Sequence, residues 1–256
     1  MSKIVVRDLT KRFGDLLVIK DLSFDVKERE LLCMVGPSGC GKSTILRILV
    51  GLDTDFEGEV MIDGEPVIGH NPKIGLVFQE GALFMWRTVL GNVEFGLEVK
   101  GVDKKRRREI SMDAIRMVGL EGFENCYPHE LSGGMRQRAA LARVLVNDPE
   151  ILLMDEPFAA VDAQTRNILQ EELIDLWHRT GNTILFVTHS IDEAVYLGDR
   201  IIVLDRRPTR VRATFDNTIP RPRDRTSAPC VELRRKILGV LKEIRAGVKE
   251  DFTTFK

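Results

Sequence analysis

Gly36-Pro-Ser-Gly-Cys-Gly-Lys42-Ser43-Thr44 is the stretch that decides the fold of this 256-residue chain. It follows an apolar run, Glu30–Val35, that predicts a strand, and it leads into a helix predicted to begin near Gly41. Its pattern, GxxxxGK[ST], lets backbone N–H groups approach phosphate oxygens closely, with the positive end of the helix facing the same anion. Strand, glycine-rich turn and helix together predict a phosphate-binding loop in an α/β protein.

The side chains of this loop suit a nucleoside triphosphate with its magnesium ion. Lys42 can reach the β- and γ-phosphates, and the Ser43 hydroxyl can bind Mg²⁺. Cys40 lies near a helix N-terminus and near Lys42, and both features favour the thiolate, so we expect alkylation of Cys40 to inactivate and bound MgATP to protect it. The remaining members are predicted to line the nucleotide: Gly36, Pro37, Ser38, Gly39, Gly41 and Thr44.

A second apolar run, Ile151–Met154, ends in two acids, Asp155 and Glu156. In open parallel sheets, ligands gather at the carboxyl ends of the strands. Asp155 is suited to holding Mg²⁺ through its water shell, and Glu156 is the best candidate for polarising an attacking water. Beside a phosphate-binding loop, this pair predicts an enzyme that hydrolyses ATP with Mg²⁺.

The hydrophobic pattern along the chain predicts strands and helices in alternation. Short apolar runs bounded by Gly, Asp and Pro predict early strands at Lys3–Leu9, Val18–Val26, Glu30–Val35, Gly58–Ile62 and Lys73–Phe78. From Val89 to Asn147 apolar residues recur at helical spacing. Strands and helices then alternate at Glu150–Met154, Ala163–His178, Thr183–Val187, Ile191–Leu197 and Arg200–Leu204. This alternation implies a parallel sheet covered on both faces.

Composition excludes several classes of protein. A formal charge of −1 and a pI of about 6.5 give no overall attraction to nucleic acid or acidic lipid. No apolar run approaches the ~18 residues of a membrane-spanning helix, and the N-terminus lacks the apolar core of a signal peptide. The four cysteines and four histidines lack metal-ligand spacing, so we predict reduced thiols and no transition-metal site.

A third motif, Leu131-Ser-Gly-Gly-Met-Arg-Gln-Arg138, begins another predicted helix. Ser132 is a good N-cap, and Gly133 and Gly134 leave backbone donors uncovered at the helix start. The motif therefore predicts a second anion site on the same chain. Two phosphate sites for one nucleotide suggest that each nucleotide is shared between two subunits.

With these motifs the chain resembles the ABC ATPase family, whose signature is LSGGQ, with Met135 here in place of the glutamine. The resemblance covers nearly the whole chain. It implies that Phe13 stacks on adenine, that Gln79 touches Mg²⁺, and that His189 senses the γ-phosphate. It also implies a nucleotide-side role for Asp162, which ends the loop Ala159-Ala-Val-Asp162.

The fold implied is that of a P-loop NTPase, α/β, with a mainly parallel core sheet, an N-terminal antiparallel β part and an inserted helical subdomain. We predict an ABC ATPase domain at residues 1–205, with the helical subdomain at about 88–148. Residues 206–256 are predicted to be a basic, proline-containing extension that ends in an amphipathic helix, Val231–Arg245.

Among ABC proteins, the sequence favours the ATPase subunit of an importer. Residues 80–130 are too few for the coiled coil of a DNA-repair ATPase, and the chain has one phosphate-binding loop and no membrane helices. Trp86–Val89 and the tail Pro220–Arg225 resemble the nitrate/sulfonate/taurine group. That resemblance implies a homodimer of ATPase subunits, integral membrane permease subunits and, indirectly, a periplasmic or extracellular solute-binding protein. The chain would then lie peripherally on the cytoplasmic face of the cell (inner) membrane.

Two further features bear on the partners. The cluster Leu83-Phe-Met-Trp86 is predicted to place Leu83 in the core and to offer Met85 and Trp86 to the permease. The basic run Lys104–Arg108 is the best support for an alternative, a soluble ABC ATPase that acts on nucleic acid and is stimulated by DNA or RNA. Asp103 and Glu109 flank this run, which favours a solvated helix face, and we expect no nucleic-acid partner.

Overall fold

The structure is a computed structural model that describes residues 1–79, 82–159 and 161–251. Glu80, Gly81 and Ala160, which belong to predicted functional stretches, lie outside the described residues. The strands are β1 (Ser2–Phe13), β2 (Leu16–Lys27), β3 (Leu31–Val35), β4 (Glu57–Ile62), β5 (Glu65–Pro66), β6 (Ile74–Val77), β7 (Ile151–Asp155), β8 (Thr183–Thr188), β9 (Arg200–Leu204) and β10 (Val211–Asp216). The α-helices are α1 (Lys42–Leu49), α2 (Val89–Val93), α3 (Phe95–Val99), α4 (Lys104–Met117), α5 (Gly133–Leu145), α6 (Ala163–Thr180), α7 (Ile191–Leu197) and α8 (Ala228–Asp251).

The chain divides into two compact units. The first is formed by Met1–His70 together with Thr183–Lys256, and the second by Asn71–Asn182. Within the described ranges, none of the helices combines the length and the apolar character that a bilayer crossing requires.

The N-terminal part of the first unit is an antiparallel sheet with the strand order β2-β1-β4-β5. Ile4, Val6 and Leu9 of β1 are buried, whereas Arg7 and Asp8 are exposed, as expected for a sheet with one covered face. Both β1 and β2 run further than predicted because their pairing continues through charged residues to a tight turn, where Phe13 opposes Leu16.

The second sheet of this unit has the order β10-β9-β3-β8. β3 lies between β8 and β9 and is parallel to both. All five residues of β3, Leu31–Val35, are fully buried, and such continuous apolar runs are typical of strands covered on both faces. The predicted fold class is confirmed: an antiparallel N-terminal β part and a mainly parallel sheet with helices.

Strand β10 is absent from the sequence-based prediction, which interprets everything after residue 204 as a basic extension before a helix. Val211–Asp216 alternates between half-buried and exposed residues and pairs antiparallel with β9. Its exposed positions are charged or hydroxyl-bearing, so the basic composition hid a period of two. The predicted terminal helix is present as α8, longer than expected at both ends. The domain limits 1–205 and 206–256 stay a prediction.

The second unit contains the parallel pair β6 and β7 and the helices α2 to α6. Helices α2 to α5 enclose a core of their own, which includes Val89, Val93, Ile115 and Ala139. Leu83 packs against this core, as the sequence predicted.

A buried ion pair fastens β9 within the first unit. Arg200 donates from Nε to Glu30 Oε1 at 2.8 Å and from Nη1 to Asp25 Oδ1 at 3.0 Å. The Glu30 side chain is 8% exposed, so water cannot replace the guanidinium efficiently.

We expect Arg200→Ala to lower the free energy of unfolding by about 3 kcal/mol, because it leaves a buried carboxylate without its partner. Urea denaturation measures this loss. Arg210→Ala is the matched control, since Arg210 and Asp21 are 3.4 Å apart and both about half exposed. Such a pair contributes less than about 1 kcal/mol. Equal losses in the two variants would contradict the assignment.

Candidate functional site

The phosphate-binding loop lies where the sequence predicted it, between β3 and α1. Gly39 and Gly41 have φ values of +73° and +116°, a region that L side chains rarely adopt. A Cβ at Gly41 would also lie 3.0 Å from Thr209 Oγ1 and 3.1 Å from Val18 Cγ1. The backbone conformation therefore favours glycine at position 41, and a Cβ there would also force the Thr209 or Val18 side chain to shift by a few tenths of an ångström.

The loop is closed by the side chain of its own lysine. Lys42 is the first residue of α1 and is 5% exposed. Its Nζ donates to the carbonyl oxygens of Gly36 and Pro37, both at 3.1 Å. Ser43, next in the helix, is exposed, so its hydroxyl is accessible to a ligand. A buried ammonium, glycine backbone and an accessible hydroxyl form a donor set that fits a polyphosphate.

The environment of Cys40 differs from the one that the sequence predicted. The sequence suggested a thiolate, since the residue lies near a helix N-terminus and near Lys42. In the structure Cys40 is 2% exposed, and burial raises the pKa of its thiol despite the opposing charge of Lys42. The prediction of a reactive thiolate is therefore wrong, because desolvation of the thiolate outweighs the attraction of the nearby cation.

Parallel pairing sets the position of His189 in the first unit. Val35 at the end of β3 pairs with Thr188 at the end of β8. Gly36 directly follows β3 and His189 directly follows β8. The phosphate-binding loop and the exposed His189 imidazole therefore lie at the same edge of the sheet. Phe13, at the end of β1, is 51% exposed and has Lys11 Nζ 4.7 Å from its ring centroid.

The same geometry recurs in the second unit. Val77 of β6 pairs with Met154 of β7, so Gln79 and the acids Asp155 and Glu156 follow at one edge of a parallel pair. Gln79 is exposed, and the two acids are partly buried. Glu156 has a φ of +45°, an uncommon conformation for a residue with a side chain and one often found at functional sites.

The third motif begins α5 as predicted. Ser132 is the N-cap, and its Oγ accepts from Met135 N at 3.2 Å. A Cβ at Gly134 would lie 2.7 Å from Thr165 Cγ2 on α6. Gly134 is therefore needed for the close approach of α6. It is buried, contrary to the predicted exposure at this position, whereas Ser132 is exposed and Gly133 is half-buried.

Asp162 stabilises the start of helix α6. It is the N-cap of α6, and its Oδ1 accepts from Gln164 N at 3.1 Å and from Thr165 N at 3.0 Å. These hydrogen bonds, that from Thr165 N first, lower the pKa of the carboxyl group. Ala159, before it in the predicted loop, is exposed.

A buried asparagine that sequence reasoning missed shapes the loop bearing Trp86. The Asn92 side chain is fully buried in α2; its Oδ1 accepts from Phe84 N at 2.7 Å. Its Nδ2 lies 3.0 Å from each of three carbonyl oxygens, those of Phe84, Arg87 and Thr88. Trp86 is held in this loop at 75% exposure. One polar residue within the apolar run Val89–Val93 was the available signal.

The basic run lies at the start of α4, where Asp103 is the N-cap. Lys104, Lys105, Arg106 and Arg108 are exposed, and Arg107 pairs with Glu94 at 3.4 Å. Arg106 lies 3.5 Å from Glu109. The structure thus gives the run the solvated helix face that the sequence favoured.

Comparison with known proteins agrees with this geometry. The family model described as ABC transporter matches residues 19–159. An uncharacterized ABC transporter ATP-binding protein of Methanocaldococcus jannaschii is 54% identical over 94% of this chain and 92% of its own length. The aliphatic sulfonates import ATP-binding protein SsuB of Bacillus cereus is 44% identical over 91% of this chain and 92% of its own. A dimeric ATP-binding cassette bound to ADP and Pi superposes with a TM-score of 0.74 and 34% identity, covering 85% of this chain and all of its own.

The burial of Cys40 leads to a labelling prediction. With limiting iodoacetamide at about pH 8, we expect Cys126, which is partly exposed, to be alkylated first. Cys33, Cys40 and Cys230 are buried and should react only after unfolding. Peptide mapping by mass spectrometry measures the order. Labelling of Cys40 before Cys126 in the folded protein would contradict the structure.

Proposed function

The chain belongs to the ABC transporter family as an ATP-binding subunit that hydrolyses ATP, and from that membership we propose that it powers an importer of a small solute of the nitrate, sulfonate or taurine type. The observation that carries the ATP-driven part of the proposal is the phosphate-binding loop, with Lys42 buried inside it and a backbone conformation at position 41 that favours glycine. The solute class rests on the similarity to the sulfonate import protein and on the Trp86–Val89 stretch.

We assign the binding of ATP to the loop residues 36–44 and to Phe13. The half-exposed Phe13 ring offers a face for stacking on adenine. The Lys42 ammonium and the backbone N–H groups of the loop would hold the phosphates through charge-assisted hydrogen bonds.

Mg²⁺ would be held by Ser43, Gln79 and Asp155. A hydroxyl, an amide and a carboxylate provide the oxygen ligands that this ion prefers, together with water and phosphate oxygens. When bound, the ion neutralises charge on the transferred phosphoryl group. Gln79 and Asp155 emerge at one edge of the β6/β7 pair, which supports their joint assignment.

We assign the attack of water to Glu156 and His189. The Glu156 carboxylate would accept a hydrogen bond from the attacking water and orient it toward the γ-phosphorus. His189, exposed after β8, would donate to a γ-phosphate oxygen. Loss of the γ-phosphate removes that acceptor, so this contact distinguishes ATP from ADP.

Two copies of the chain would form the working enzyme as a homodimer. The helix start at Ser132–Gly134 would offer a second anion site through the positive end of α5 and the backbone N–H groups near the exposed Ser132 and the half-buried Gly133. We assign it to the nucleotide held by the partner subunit's phosphate-binding loop, with Asp162 nearby in the same interface. The dimeric state of the similar cassette with ADP and Pi supports this arrangement.

The loop that bears Trp86 would couple ATP binding and hydrolysis to the membrane partner. Met85 and Trp86 are 51% and 75% exposed, whereas Leu83 packs on the helical core. A large exposed aromatic beside a flexible thioether is typical of a protein interface. We assign this surface to an integral membrane permease, which would place the chain peripherally on the cytoplasmic face of the membrane and connect it indirectly with a solute-binding protein.

The shared-nucleotide mechanism is tested with Glu156→Gln. This variant keeps the groups assigned to binding and removes the carboxylate assigned to the water, so ATP should persist and hold two copies together. Gel filtration with MgATP should show a dimer for Glu156→Gln and mostly monomer for wild type. Lys42→Ala is the control, since it should bind no ATP and stay monomeric. A monomeric Glu156→Gln that retains bound ATP would rule out the mechanism.

Docking on the permease is tested with Trp86→Ala. Basal ATP hydrolysis by the isolated subunit should stay near the wild-type rate, while assembly with the permease should weaken by about 2 kcal/mol if Trp86 is an anchor. Pull-down and transport in proteoliposomes measure the two effects. Leu52→Ala, which removes another exposed apolar side chain, should change neither. Full transport by Trp86→Ala would place coupling elsewhere, and ATPase stimulation by DNA or RNA instead of the permease would favour the nucleic-acid alternative.

A further inference from the structure

The segment that follows β9 reaches the phosphate-binding loop. β9 is parallel to β3, and Val203 pairs with Val35, so both strands end at the same edge of the sheet. At that edge a Cβ on Gly36 would lie 3.0 Å from Leu204 Cβ. The chain beyond Leu204 therefore starts in contact with the first residue of the loop.

Two side chains of this segment touch the loop. Arg207 donates to the carbonyl oxygen of Gly39 from Nε at 2.9 Å and from Nη2 at 2.6 Å. Thr209 is fully buried and packs at the position where Gly41 lacks a side chain. Its backbone is fixed to β2, since Thr209 N donates to Val18 O at 2.8 Å and Thr209 O accepts from Lys20 N at 3.1 Å.

The Gly39 carbonyl that Arg207 contacts belongs to the same peptide unit as the Cys40 N–H. In a planar trans peptide the carbonyl oxygen and the following N–H point to opposite sides. Cys40 N–H donates to Pro37 O at 3.2 Å, and Lys42 Nζ donates to the same oxygen at 3.1 Å. The Cys40 N–H and the lysine ammonium thus converge on one side of the loop, and the Gly39 carbonyl faces Arg207 on the other.

We propose that Arg207 is a positioning residue for phosphate binding: by holding the Gly39 carbonyl outward, it keeps the Cys40 N–H on the side of Lys42, where the phosphates bind. This inference rests on the proposed role of the loop residues. The guanidinium binds one carbonyl with two N–H groups, which fixes the orientation of the peptide better than a single donor does. Gly39 adds little steric restriction to the rotation of this peptide. Within the loop the N–H of this peptide donates to Pro37 O at 3.2 Å, and Arg207 adds a second anchor at its carbonyl oxygen from outside the loop.

The test compares the affinity of full-length variants for ATP. Arg207→Ala should raise the Kd for MgATP by about tenfold, which corresponds to about 1.4 kcal/mol. Arg207→Lys keeps the charge but has a single donor nitrogen in place of two, and it should recover part of the affinity. Arg210→Ala is the matched control, since Arg210 lies in the same segment but pairs with Asp21. It should stay within about twofold of wild type.

Two further measurements separate positioning from a loss of structure. The melting temperature of Arg207→Ala should equal that of Arg210→Ala. The Cys40 amide resonance in the NMR spectrum without nucleotide should shift in Arg207→Ala and stay in place in Arg210→Ala.

The inference is overturned if the Kd of Arg207→Ala lies within twofold of wild type, if Arg210→Ala weakens binding equally, or if the Cys40 resonance does not move. Wild type and Lys42→Ala are titrated in parallel. Binding by wild type that Lys42→Ala abolishes supports the proposed role of the loop, whatever the result for Arg207. If Lys42→Ala binds ATP as wild type does, the assigned role of the loop fails first.

Discussion

Parallel pairing of β3 with both β8 and β9 is the constraint on which the first unit depends. Because all three strands run in the same direction, their carboxyl ends meet at one edge, and the chain leaving each strand there is brought to the same place. β3 contributes the phosphate-binding loop, β8 contributes His189, and β9 contributes Arg207. The sheet interior is apolar and continuous, so the residues with chemistry gather where the strands end.

Packing and binding make overlapping demands on the glycines. Gly41 adopts a φ that disfavours a side chain and also makes room for Thr209 and Val18. Gly134 allows α6 to approach α5 closely while it lies in the motif assigned to a second nucleotide contact. Substitution at either position would disturb packing and binding together, so kinetic data on such variants would not separate the two effects.

Much of the architecture could be predicted from the sequence, because the decisive signals are local. The loop, the acid pair and the third motif each combine a helix or strand boundary with a fixed spacing. Strand β10 was not predicted because the exposed positions of its half-buried/exposed alternation are Arg, Thr and Asp within a basic segment. The proposed role of Arg207 was not predicted for another reason. It depends on the order of strands in the sheet, which cannot be derived from the local sequence. Cys40 was misjudged because proximity to a cation is visible in the sequence, whereas burial is not.

The buried side chain of Asn92 has a consequence for how fast and how tightly partners assemble. Its hydrogen bonds to Phe84, Arg87 and Thr88 order the loop in the isolated subunit. A partner that docks at the surface proposed for Trp86 would therefore meet a pre-formed backbone. It would avoid part of the entropic cost of ordering that backbone, about 1–2 kcal/mol for each residue fixed. The same rigidity restricts the surface to partners of matching shape, so complementarity on the other protein, rather than adaptation on this one, would determine specificity.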